Sequence, residues 1–421
     1  MRIAIAGAGI GGLTTALMLH RRGIRAEIYE QSVEVHGLGV GINTLPPAIQ
    51  ELAELNLLSE LDAVGVRSRE LFYLTRQGQE VWRELRGTDA GHPVPQFSIH
   101  RGRLHKVLYD AVRERLGPDA VHTGRSLSRY WQDDAGVTAY FRDTARGESG
   151  LTVRAEVLVC ADGIHSVGRS AFYPAEGPPR WNGVLLWRGA TKWSSWGDGR
   201  SMAISGGMAA KFVLYPIGTG TDGRPLMNWV LYAKVADAST TPPPRESWSR
   251  RATRAEVLAY ARRFTVPDFD VEGLVAATAD VFEYPMCDRD PLPKWSFGRI
   301  TLLGDAAHPM YPVGSNGASQ AILDARYLAD ALADSEHPGH ALWTYERRRQ
   351  PMTAEIVRLN RRGGPERVID EVEERAPGGF TDIDQILSRS ERAAIVDGYA
   401  VKAGFASATR RQAPSSVRGD P

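Results

Sequence analysis

The spacing of apolar residues changes several times along this chain, and each change marks a predicted element. Residues 2–6 form a short apolar run, after which apolar side chains recur at helical spacing over about 12–22. A second strand-like run follows at 25–31, and the three segments together predict a βαβ unit. Two further buried strands are predicted at 156–163 and from residue 301, where apolar residues follow one another directly.

Helical and strand spacing account for most of the remaining chain. The predicted helices are 46–61, 100–117, 319–334, 339–361 and 383–400, and the predicted hairpins are 71–85 and 127–141. From about 181 to 285 the sequence consists of aromatic, strand-forming runs separated by Gly- and Pro-rich turns, such as the one at 241–244. We expect an antiparallel sheet in this segment, with the hairpin at 71–85 as part of it.

These elements predict an α/β fold with a Rossmann-like cofactor lobe, a β-sheet substrate lobe and C-terminal helices. The chain has 421 residues, and a single core stops growing at roughly 250–300 residues, so we expect two lobes. The predicted cofactor lobe comprises 1–70, 98–180 and 286–361, the sheet lobe comprises 71–97 and 181–285, a helical region covers 362–409, and a disordered tail covers 410–421.

Composition and charge exclude several classes of partner. The chain is 43% apolar and 24% charged, as in ordinary globular proteins, and its net charge of +1 favours neither nucleic acid nor an anionic membrane. No run reaches the ~20 apolar residues of a membrane span. Two cysteines, Cys160 and Cys287, indicate a reducing, cytoplasmic setting, and no metal-ligand spacing is present. We expect a monomer or a homodimer whose partner is a small molecule.

The turn after the first strand carries the pattern Gly7-x-Gly9-x-x-Gly12. In a βαβ unit these glycines permit a tight turn, let a pyrophosphate approach the backbone and allow close packing of helix and strand. Glu30 ends the second strand, 18 positions after Gly12, where a carboxylate accepts hydrogen bonds from a ribose. The pattern therefore predicts a dinucleotide site at the start of the helix.

Two later strands also end in acidic turns. The strand segment 156–163 ends in Asp162-Gly163, and Asp305 follows the strand that begins at 301. The first is also typical of a simple turn and the second of a loop cap. If both belong to a cofactor site, Asp305 can hold a ribityl hydroxyl, and the helix that opens at 316–318 can direct its N–H groups at a flavin.

Arg101 and His308 have two interpretations each. Arg101 starts the helix at 100–117, where it is either a surface charge or a ligand for the pyrophosphate or ribityl chain of a cofactor. His308 is a candidate general base, but a histidine beside glycine-rich turns more often makes structural hydrogen bonds, and we favour that role.

A set of large side chains flanks the predicted cofactor loops. Core packing is the simplest interpretation of any one of them, but together they suggest a pocket for a flat, apolar substrate. The set consists of Trp187, Tyr215, Trp229, Tyr284 and Met310. Arg188, Lys192 and Lys211 could meet an acidic substrate, although exposed surface charge is the favoured interpretation of each.

Together the three motifs resemble the pattern of class A flavoprotein monooxygenases with the p-hydroxybenzoate hydroxylase fold, over about residues 1–360. The phenazine-1-carboxylate-type hydroxylases are especially similar in the segments GLGVGIN (37–43), FSIHRG (97–102), YPMCDRDPLPKW (284–295) and 301–324. The sheet segment 181–283 carries the least of this likeness. The substrate is therefore less well defined than the cofactor.

The resemblance implies a set of FAD contacts. These would come from Gly7, Gly9, Ile10, Gly11, Gly12, Glu30, Gln31, Gly41, Arg101, Leu127, Asp162, Gly163, Asp305, Pro312, Gly314, Asn316, Gly317 and Ala318. Gly39-Val40-Gly41 would border the isoalloxazine ring and let it swing between two positions, and Pro312 would lie close to its reactive face. NADH or NADPH would bind transiently, with Asp162 serving both cofactors.

The implied reaction is an aromatic hydroxylation. NAD(P)H would reduce FAD, O2 would add to give a C4a-hydroperoxide, and one oxygen would pass to an electron-rich ring, with loss of CO2 if a carboxylate occupies the attacked carbon. Flavin would carry the chemistry, and no side chain is assigned a certain catalytic role. An epoxidase or Baeyer–Villiger oxygenase on the same fold, and a flavin-binding redox protein without turnover, remain as alternatives.

Overall fold

The computed structural model describes residues 1–34, 40–147, 149–237 and 251–406. Gly39, the turn predicted at 241–244, residues 407–409 and the predicted tail at 410–421 lie outside the described residues. The strands are β1 (Arg2–Ala6), β2 (Arg25–Tyr29), β3 (Gly41–Thr44), β4 (Gly65–Ser68), β5 (Glu70–Leu74), β6 (Glu80–Leu85), β7 (Gln96–His100), β8 (Val121–His122), β9 (Arg125–Asp133), β10 (Gly136–Asp143), β11 (Ser149–Ala155), β12 (Val157–Cys160), β13 (Arg180–Lys192), β14 (Ser201–Ser205), β15 (Ala210–Thr219), β16 (Pro225–Lys234), β17 (Phe282–Asp288), β18 (Ser296–Phe297) and β19 (Ile300–Leu302).

Helices pack against the two largest of the four sheets among the described residues. They are α1 (Ile10–Arg21), α2 (Pro46–Glu54), α3 (Leu58–Val64), α4 (Arg101–Leu116), α5 (Val167–Phe172), α6 (Arg254–Ala261), α7 (Val271–Ala277), α8 (Gly317–Ala333), α9 (Pro338–Arg361), α10 (Arg367–Arg375) and α11 (Arg389–Lys402). Among the described residues, none of these helices has the length and apolar content needed to cross a bilayer.

A six-stranded sheet in the order β18-β19-β12-β1-β2-β8 forms the base of the predicted cofactor site. All its pairs are parallel except β18 with β19. The central strands are buried because α1, α4 and α8 pack around them, which explains their unbroken apolar sequences. The carboxyl ends of β1, β2, β12 and β19 consequently meet at one edge, where ligands of such sheets bind.

A seven-stranded sheet in the order β17-β13-β16-β15-β14-β5-β6 faces this edge. The predicted sheet of 181–285 and the predicted hairpin of 71–85 are both present in it. One pair departs from the expectation, since β14 runs parallel to β5. No tight turn joins these two strands, which are separated by more than a hundred residues, so their relative direction was not fixed locally.

Alternation along the strands gives the seven-stranded sheet two different faces. Trp187 and Trp229 point to a core closed by α6 and α7, whereas their neighbours Arg188 and Val230 point to the opposite face. That opposite face lies against the cofactor edge and the C-terminal helices. The pocket is therefore built on one face of this sheet.

Two predicted helices differ from the structure. The segment 46–61 forms α2 and α3, because Asn56 adopts a left-handed backbone with φ of 55° and interrupts the helix. The helix expected at 383–400 starts at Arg389 and is preceded by α10, which was not predicted. Helices α6 and α7 were also missed, since they interrupt a segment dominated by strand signals.

Candidate active site

One cavity of about 380 Å³ connects the edge of the six-stranded sheet with the inner face of the seven-stranded sheet. The predicted cofactor residues that line it are Gly9, Ile10, Gly11, Gly41, Arg101, Gly163, Asp305, Pro312, Gly314, Asn316, Gly317 and Ala318. Gly7, Gly12, Glu30, Gln31, Leu127 and Asp162 lie outside its lining. The structure thus brings three loops from distant parts of the sequence around one space.

The first loop has the backbone geometry that its glycines predict. Gly7 has φ of 104°, and a Cβ there would lie 2.3 Å from the carbonyl oxygen of Ala161. A Cβ on Gly12 would lie 2.0 Å from the carbonyl oxygen of Gly7. Gly9, by contrast, has no atom within 4 Å of its Cβ position and lines the cavity. The loop is therefore tight behind the cavity and open towards it.

Glu30 holds this loop from the end of β2. Its Oε2 accepts a hydrogen bond from the N–H of Ala8 (2.7 Å), and its Oε1 accepts one from the N–H of Ser32 (2.8 Å). Gln31 contributes its backbone, whose carbonyl accepts from the hydroxyl of Thr144 (2.8 Å). Leu127 is buried in β9. None of these three residues lines the cavity itself.

The second loop presents Asp162 after β12. Its Oδ2 accepts a hydrogen bond from the N–H of Val167 (2.7 Å), while its buried Oδ1 has no hydrogen-bond partner within the described part of the chain. Burial raises the pKa of this carboxyl. Gly163 follows with φ of 79° and open space at its Cβ position. An unsatisfied oxygen beside an open glycine is the arrangement expected where a ligand approaches.

The third loop places Asp305 opposite Arg101. Asp305 follows β19, is solvent-accessible and lines the cavity. Desolvation by the surrounding protein raises its pKa, and His308 and Arg101 oppose that rise. Burial lowers the pKa of Arg101, and Asp305 opposes that change. Arg101 therefore faces the cavity and is not a surface charge of α4.

The loop before α8 is held by a residue from the C-terminal helix. Gly314 and Ser315 both have left-handed backbones, with φ of 63° and 59°. The hydroxyl of Tyr399 in α11 accepts a hydrogen bond from Asn316 Nδ2 (2.7 Å) and donates one to Asn360 Oδ1 (2.7 Å). Helix α8 begins at Gly317 without a side-chain cap. Its first N–H groups therefore remain available to a ligand.

His308 belongs to a buried network behind this loop. Its Nε2 lies 2.5 Å from Asp324 Oδ2, and Arg349 Nε donates to Asp324 Oδ1 (2.7 Å). Burial opposes the charge of Asp324, but His308 and Arg349 outweigh that effect and lower its pKa to about 2. His308 is itself buried and does not line the cavity. This placement agrees with the structural role that the sequence favoured.

The predicted aromatic pocket is divided between the two faces of the sheet. Tyr215, Tyr284 and Met310 line the cavity. The assignment of Trp187 and Trp229 to the substrate pocket was wrong. Both are fully buried on the α6–α7 face, and their Nε1 groups donate to Glu283 and Thr278 within that core. The lining residues that the sequence missed include Leu186, Val230, Tyr232, Ile204, Tyr73 and Phe405.

The three basic residues of this sheet have three different environments. Arg188 lines the cavity and donates through Nη2 to the carbonyl oxygen of Gly41 (2.6 Å). Lys211 is buried, pairs with Glu366 and lies 4.2 Å from the centre of the Tyr232 ring. The expectation of exposed charge was therefore wrong for these two. For Lys192 the expectation of exposed charge agrees with the structure, where this side chain pairs with Asp222 near the surface.

Gly41, in β3, lies in direct contact with the seven-stranded sheet. Its N–H donates to Asn228 Oδ1 (2.6 Å), and its carbonyl oxygen also accepts from the hydroxyl of Tyr215 (2.9 Å). A Cβ at Gly41 would lie 2.6 Å from the side chain of Asn228 and 2.7 Å from that of Tyr215. Only glycine allows this strand to lie so close to the sheet.

Comparison with known proteins identifies the family. A sequence-family profile described as FAD binding domain matches residues 1–360. Phenazine 1,6-dicarboxylic acid hydroxylase of Lysobacter antibioticus is 44% identical over 363 residues, which cover 85% of this chain and 89% of that protein. A 3-amino-4-hydroxybenzoate 2-monooxygenase of Streptomyces platensis is 33% identical over 372 residues, covering 87% of this chain and 88% of that protein.

Solved structures share the same fold. Klebsiella pneumoniae HpxO, complexed with FAD and uric acid, superposes with a TM-score of 0.74 at 21% identity and covers 96% of this chain and 97% of its own. A salicylate hydroxylase substrate complex gives a TM-score of 0.72 at 21% identity, covering 96% of this chain and 98% of its own. With the family profile and the two relatives, these findings show that the chain belongs to the FAD-binding class A monooxygenases, which hydroxylate aromatic compounds.

Proposed function

We propose that the protein hydroxylates a polycyclic aromatic acid of the phenazine type, using FAD, O2 and either NADH or NADPH. The observation that carries this proposal is the single cavity that joins three cofactor loops to the apolar inner face of the seven-stranded sheet. A cofactor at the loops and an aromatic ring on the sheet would share that space.

The chain offers a matching position for each part of FAD. The N-terminus of α1 at Gly9 would take the pyrophosphate, and Glu30 the ribose. Asp305 and Arg101 would hold the ribityl chain, and the first N–H groups of α8 would face the isoalloxazine ring. Gly9, Gly163 and Gly317 all have open space at their Cβ positions, so a dinucleotide can approach the backbone at each loop. The lobe boundaries given above remain a proposal that limited proteolysis would test.

Bound FAD supplies the electron transfer and the activation of O2. The protein's own residues would orient the aromatic ring and exclude water. The N-terminus of α8 carries a partial positive charge, which favours negative charge developing on the adjacent ring system. Pro312 lines the cavity beside this helix and removes one backbone donor that would otherwise attract water. None of these roles requires a side chain to transfer a proton.

The extent of the inner sheet face favours a substrate with more than one ring. All seven strands contribute to the cavity lining, from Tyr284 in β17 to Glu84 in β6. Neighbouring strands are about 4.8 Å apart, so the lined surface is several times wider than one aromatic ring. The phenazine hydroxylase at 44% identity acts on a tricyclic compound, which supports the same size class.

The charges that line the cavity favour an acidic substrate. Arg86 pairs with Glu84, and the carboxyl of Asp305 stabilises the positive charge of Arg101. Arg188 makes no ion pair among the described residues, and its guanidinium contacts only neutral groups there, the carbonyl oxygen of Gly41 and the hydroxyl of Tyr215. A carboxylate of the substrate would balance its charge, as in the charge-assisted pairs that arginine forms elsewhere. If this carboxylate occupies the attacked carbon, hydroxylation would release CO2.

The cellular setting is part of the proposal. Cys160 and Cys287 are free, and neither is close enough to a second cysteine to pair among the described residues. This agrees with a reducing, cytoplasmic environment. We expect a monomer or a homodimer, which sedimentation of the FAD-loaded protein would distinguish.

The proposed activity is tested with the purified, FAD-loaded protein, NADH or NADPH, isotopically labelled O2 and a panel of phenazine and benzoic acids. We expect a phenazine acid to gain one labelled oxygen on a ring carbon, in proportion to the nicotinamide consumed. A product with an epoxide or an inserted lactone oxygen would indicate the alternative oxygenase chemistry. Nicotinamide consumption that yields only hydrogen peroxide with every compound would contradict the proposal.

A further inference from the structure

A polar cluster closes the end of the cavity that lies farthest from the cofactor loops. It consists of Tyr73 in β5, Glu84 in β6, Arg86 just after β6 and Gln96 at the start of β7, and we call it the distal cluster. The surrounding walls are apolar, with Leu71, Met202 and Ile204 on the sheet and Val396 on α11. Polar side chains at the end of an apolar cavity are typical of groups that fix the orientation of a ligand.

Three members of the distal cluster bind one another. The hydroxyl of Tyr73 donates to Glu84 Oε1 (2.9 Å), and Arg86 Nη2 donates both to the same oxygen and to the hydroxyl of Tyr73 (3.3 Å). Tyr73 and Glu84 are 0% and 4% exposed. Burial raises the pKa of Tyr73 well above its ordinary value, so this residue stays a neutral hydroxyl. The cluster is thus ordered before any ligand arrives.

The hydrogen bonding of the cluster is nevertheless incomplete. Gln96 is 2% exposed, its Oε1 has no partner among the described residues, and its Nε2 has only a weak contact with Met202 Sδ (3.8 Å). Arg86 Nε is also buried and without a partner in the same part of the chain. Buried polar atoms are paired in the great majority of cases. A donor and an acceptor are therefore left over beside the cavity.

The charges near the distal cluster cancel. Arg86 neutralises Glu84, and Lys211 neutralises Glu366, the other acid that lines this end of the cavity. A second substrate carboxylate would add an uncompensated charge to an apolar space, which is costly. A hydroxyl or carboxamide adds no charge, and each can both donate and accept a hydrogen bond.

We propose that the distal cluster is a substrate subsite for an uncharged hydrogen-bonding group, such as a hydroxyl or a carboxamide. This inference rests on the proposed function, in which the acidic end of the substrate lies near Arg188. The Arg188 guanidinium and the Tyr215 hydroxyl both donate to the carbonyl oxygen of Gly41, and from Tyr215 in β15 to Glu84 in β6 there are three strand spacings, or roughly 14 Å. A fused-ring substrate whose polar substituents lie at opposite ends could therefore contact both regions.

The test compares three ligands on the FAD-loaded protein without nicotinamide. They are phenazine-1-carboxylic acid, its 6-carboxamide derivative and phenazine-1,6-dicarboxylic acid, and the dissociation constants come from changes in flavin absorbance. We expect the carboxamide to bind about tenfold more tightly than the parent acid, the effect of one good hydrogen bond. The dicarboxylic acid should bind no more tightly than the parent acid.

Two variants assign this preference to the cluster. Gln96→Leu removes the unpaired amide without leaving a buried charge, and Arg86→Lys keeps the charge but loses the planar set of donors. Both should lose the tenfold preference and keep the affinity for the parent acid. Gln132→Leu is the matched control, because Gln132 hydrogen-bonds Phe297 and Arg299 far from the cavity. It should keep the preference.

Several results would overturn the inference. Equal binding of the parent acid and the carboxamide by the unmodified protein would do so, as would a preference that survives in both variants. Tighter binding of the dicarboxylic acid would show that the subsite takes a charged group. If none of the three compounds binds the unmodified protein, the proposed substrate class is itself wrong, and the subsite is wrong with it.

Discussion

Single side chains around the cavity differ sharply in what they are expected to contribute. Asp305 lines the cavity, Asp324 lies in a buried network behind the same loop, and Trp229 packs on the opposite face of the seven-stranded sheet. Asp324 and Trp229 are both fully buried, whereas Asp305 is exposed at the cavity, and burial alone does not tell the first two apart. The groups that each side chain contacts are more informative, and they lead to a different prediction for substitution at each position.

Replacement of Asp305 by alanine should weaken FAD binding. Loss of a hydrogen bond to a charged group costs about 1.5–3 kcal/mol, so the dissociation constant of FAD should rise roughly 10- to 100-fold. Fluorescence titration of the FAD-free protein measures this constant directly. Asp305→Asn keeps one acceptor oxygen, so its dissociation constant for FAD should lie between those of the unmodified protein and Asp305→Ala. Full flavin occupancy in purified Asp305→Ala would refute the assigned role.

Asp324 should make the stability of the protein depend on pH in the acidic range. Its pKa is about 2 in the folded state against an ordinary value of 3.8. Because the folded-state pKa is depressed, the stabilisation of about 2 kcal/mol is complete above pH 4 and is lost as the pH falls towards 2. Asp324→Asn should be less stable at pH 6, since it leaves Arg349 buried without its carboxylate.

Urea unfolding at several pH values tests this prediction. The difference in unfolding free energy between the unmodified protein and Asp324→Asn should shrink as the pH is lowered from 6 to 3. A difference that stays constant over this range would show that Asp324 does not carry the acid dependence.

Substitutions at Trp229 and Tyr215, which lie on opposite faces of the seven-stranded sheet, should affect stability and ligand binding differently. Trp229→Leu should lower the unfolding free energy by about 2–3 kcal/mol through the cavity it creates, with unchanged affinity for an aromatic acid. Tyr215→Phe removes the hydrogen bond to Gly41 at the cavity and should alter ligand affinity more than stability. Thermal unfolding and flavin-absorbance titrations of both variants provide the comparison. If Trp229→Leu changed ligand affinity and Tyr215→Phe changed only stability, the pocket would lie on the opposite face of the sheet from the one assigned here.

Among the elements, α11 has the most unexpected role. It lies beyond residue 360, where the family profile ends, yet Tyr399 hydrogen-bonds Asn316 and Asn360 next to the start of α8. A Cβ at Gly314 would lie 2.4 Å from the Tyr399 hydroxyl. The position of the loop before α8 therefore depends on a helix outside the segment that the family profile matches.

Tyr399→Phe should accordingly weaken FAD binding. It deprives two buried amide groups of a partner, which costs about 1–3 kcal/mol, and part of that cost should appear in the dissociation constant of FAD as the loop relaxes. Tyr173→Phe is a suitable control, because the Tyr173 hydroxyl donates to Lys294 at an exposed position away from the cavity. If both variants retain FAD equally well, α11 does not position the loop.

The elements differ in how far the sequence predicted them. The βαβ unit was predicted because its strand, turn and helix signals are all local and consecutive. The sequence did not predict the break at Asn56 or the helices α6 and α7. In these segments, packing against the rest of the protein overrides weak local preferences. The parallel pairing of β14 with β5 depends on contacts between distant segments, which no local pattern encodes.

At the scale of the whole molecule, the cofactor loops were easier to predict than the substrate pocket. Gly9, Asp162 and Asp305 each follow a buried parallel strand, and such strand ends meet at one edge whatever the remaining fold. The sheet pocket is different. Alternation predicts that Trp187 and Arg188 face opposite sides, but not which side carries the cavity. The distal cluster was missed because its residues carry no motif and come from a separate hairpin, β5–β6, and from the start of β7.

The central claim is that FAD at the three loops and an aromatic acid on the inner sheet face share one cavity. Anaerobic reduction of the protein-bound flavin by NADH, with and without phenazine and other aromatic acids, tests it most directly. We predict that one polycyclic acid will accelerate the bleaching of flavin absorbance by at least tenfold. A protein that fails to bind FAD on reconstitution, or whose flavin is reduced at one rate whatever acid is present, would contradict the claim.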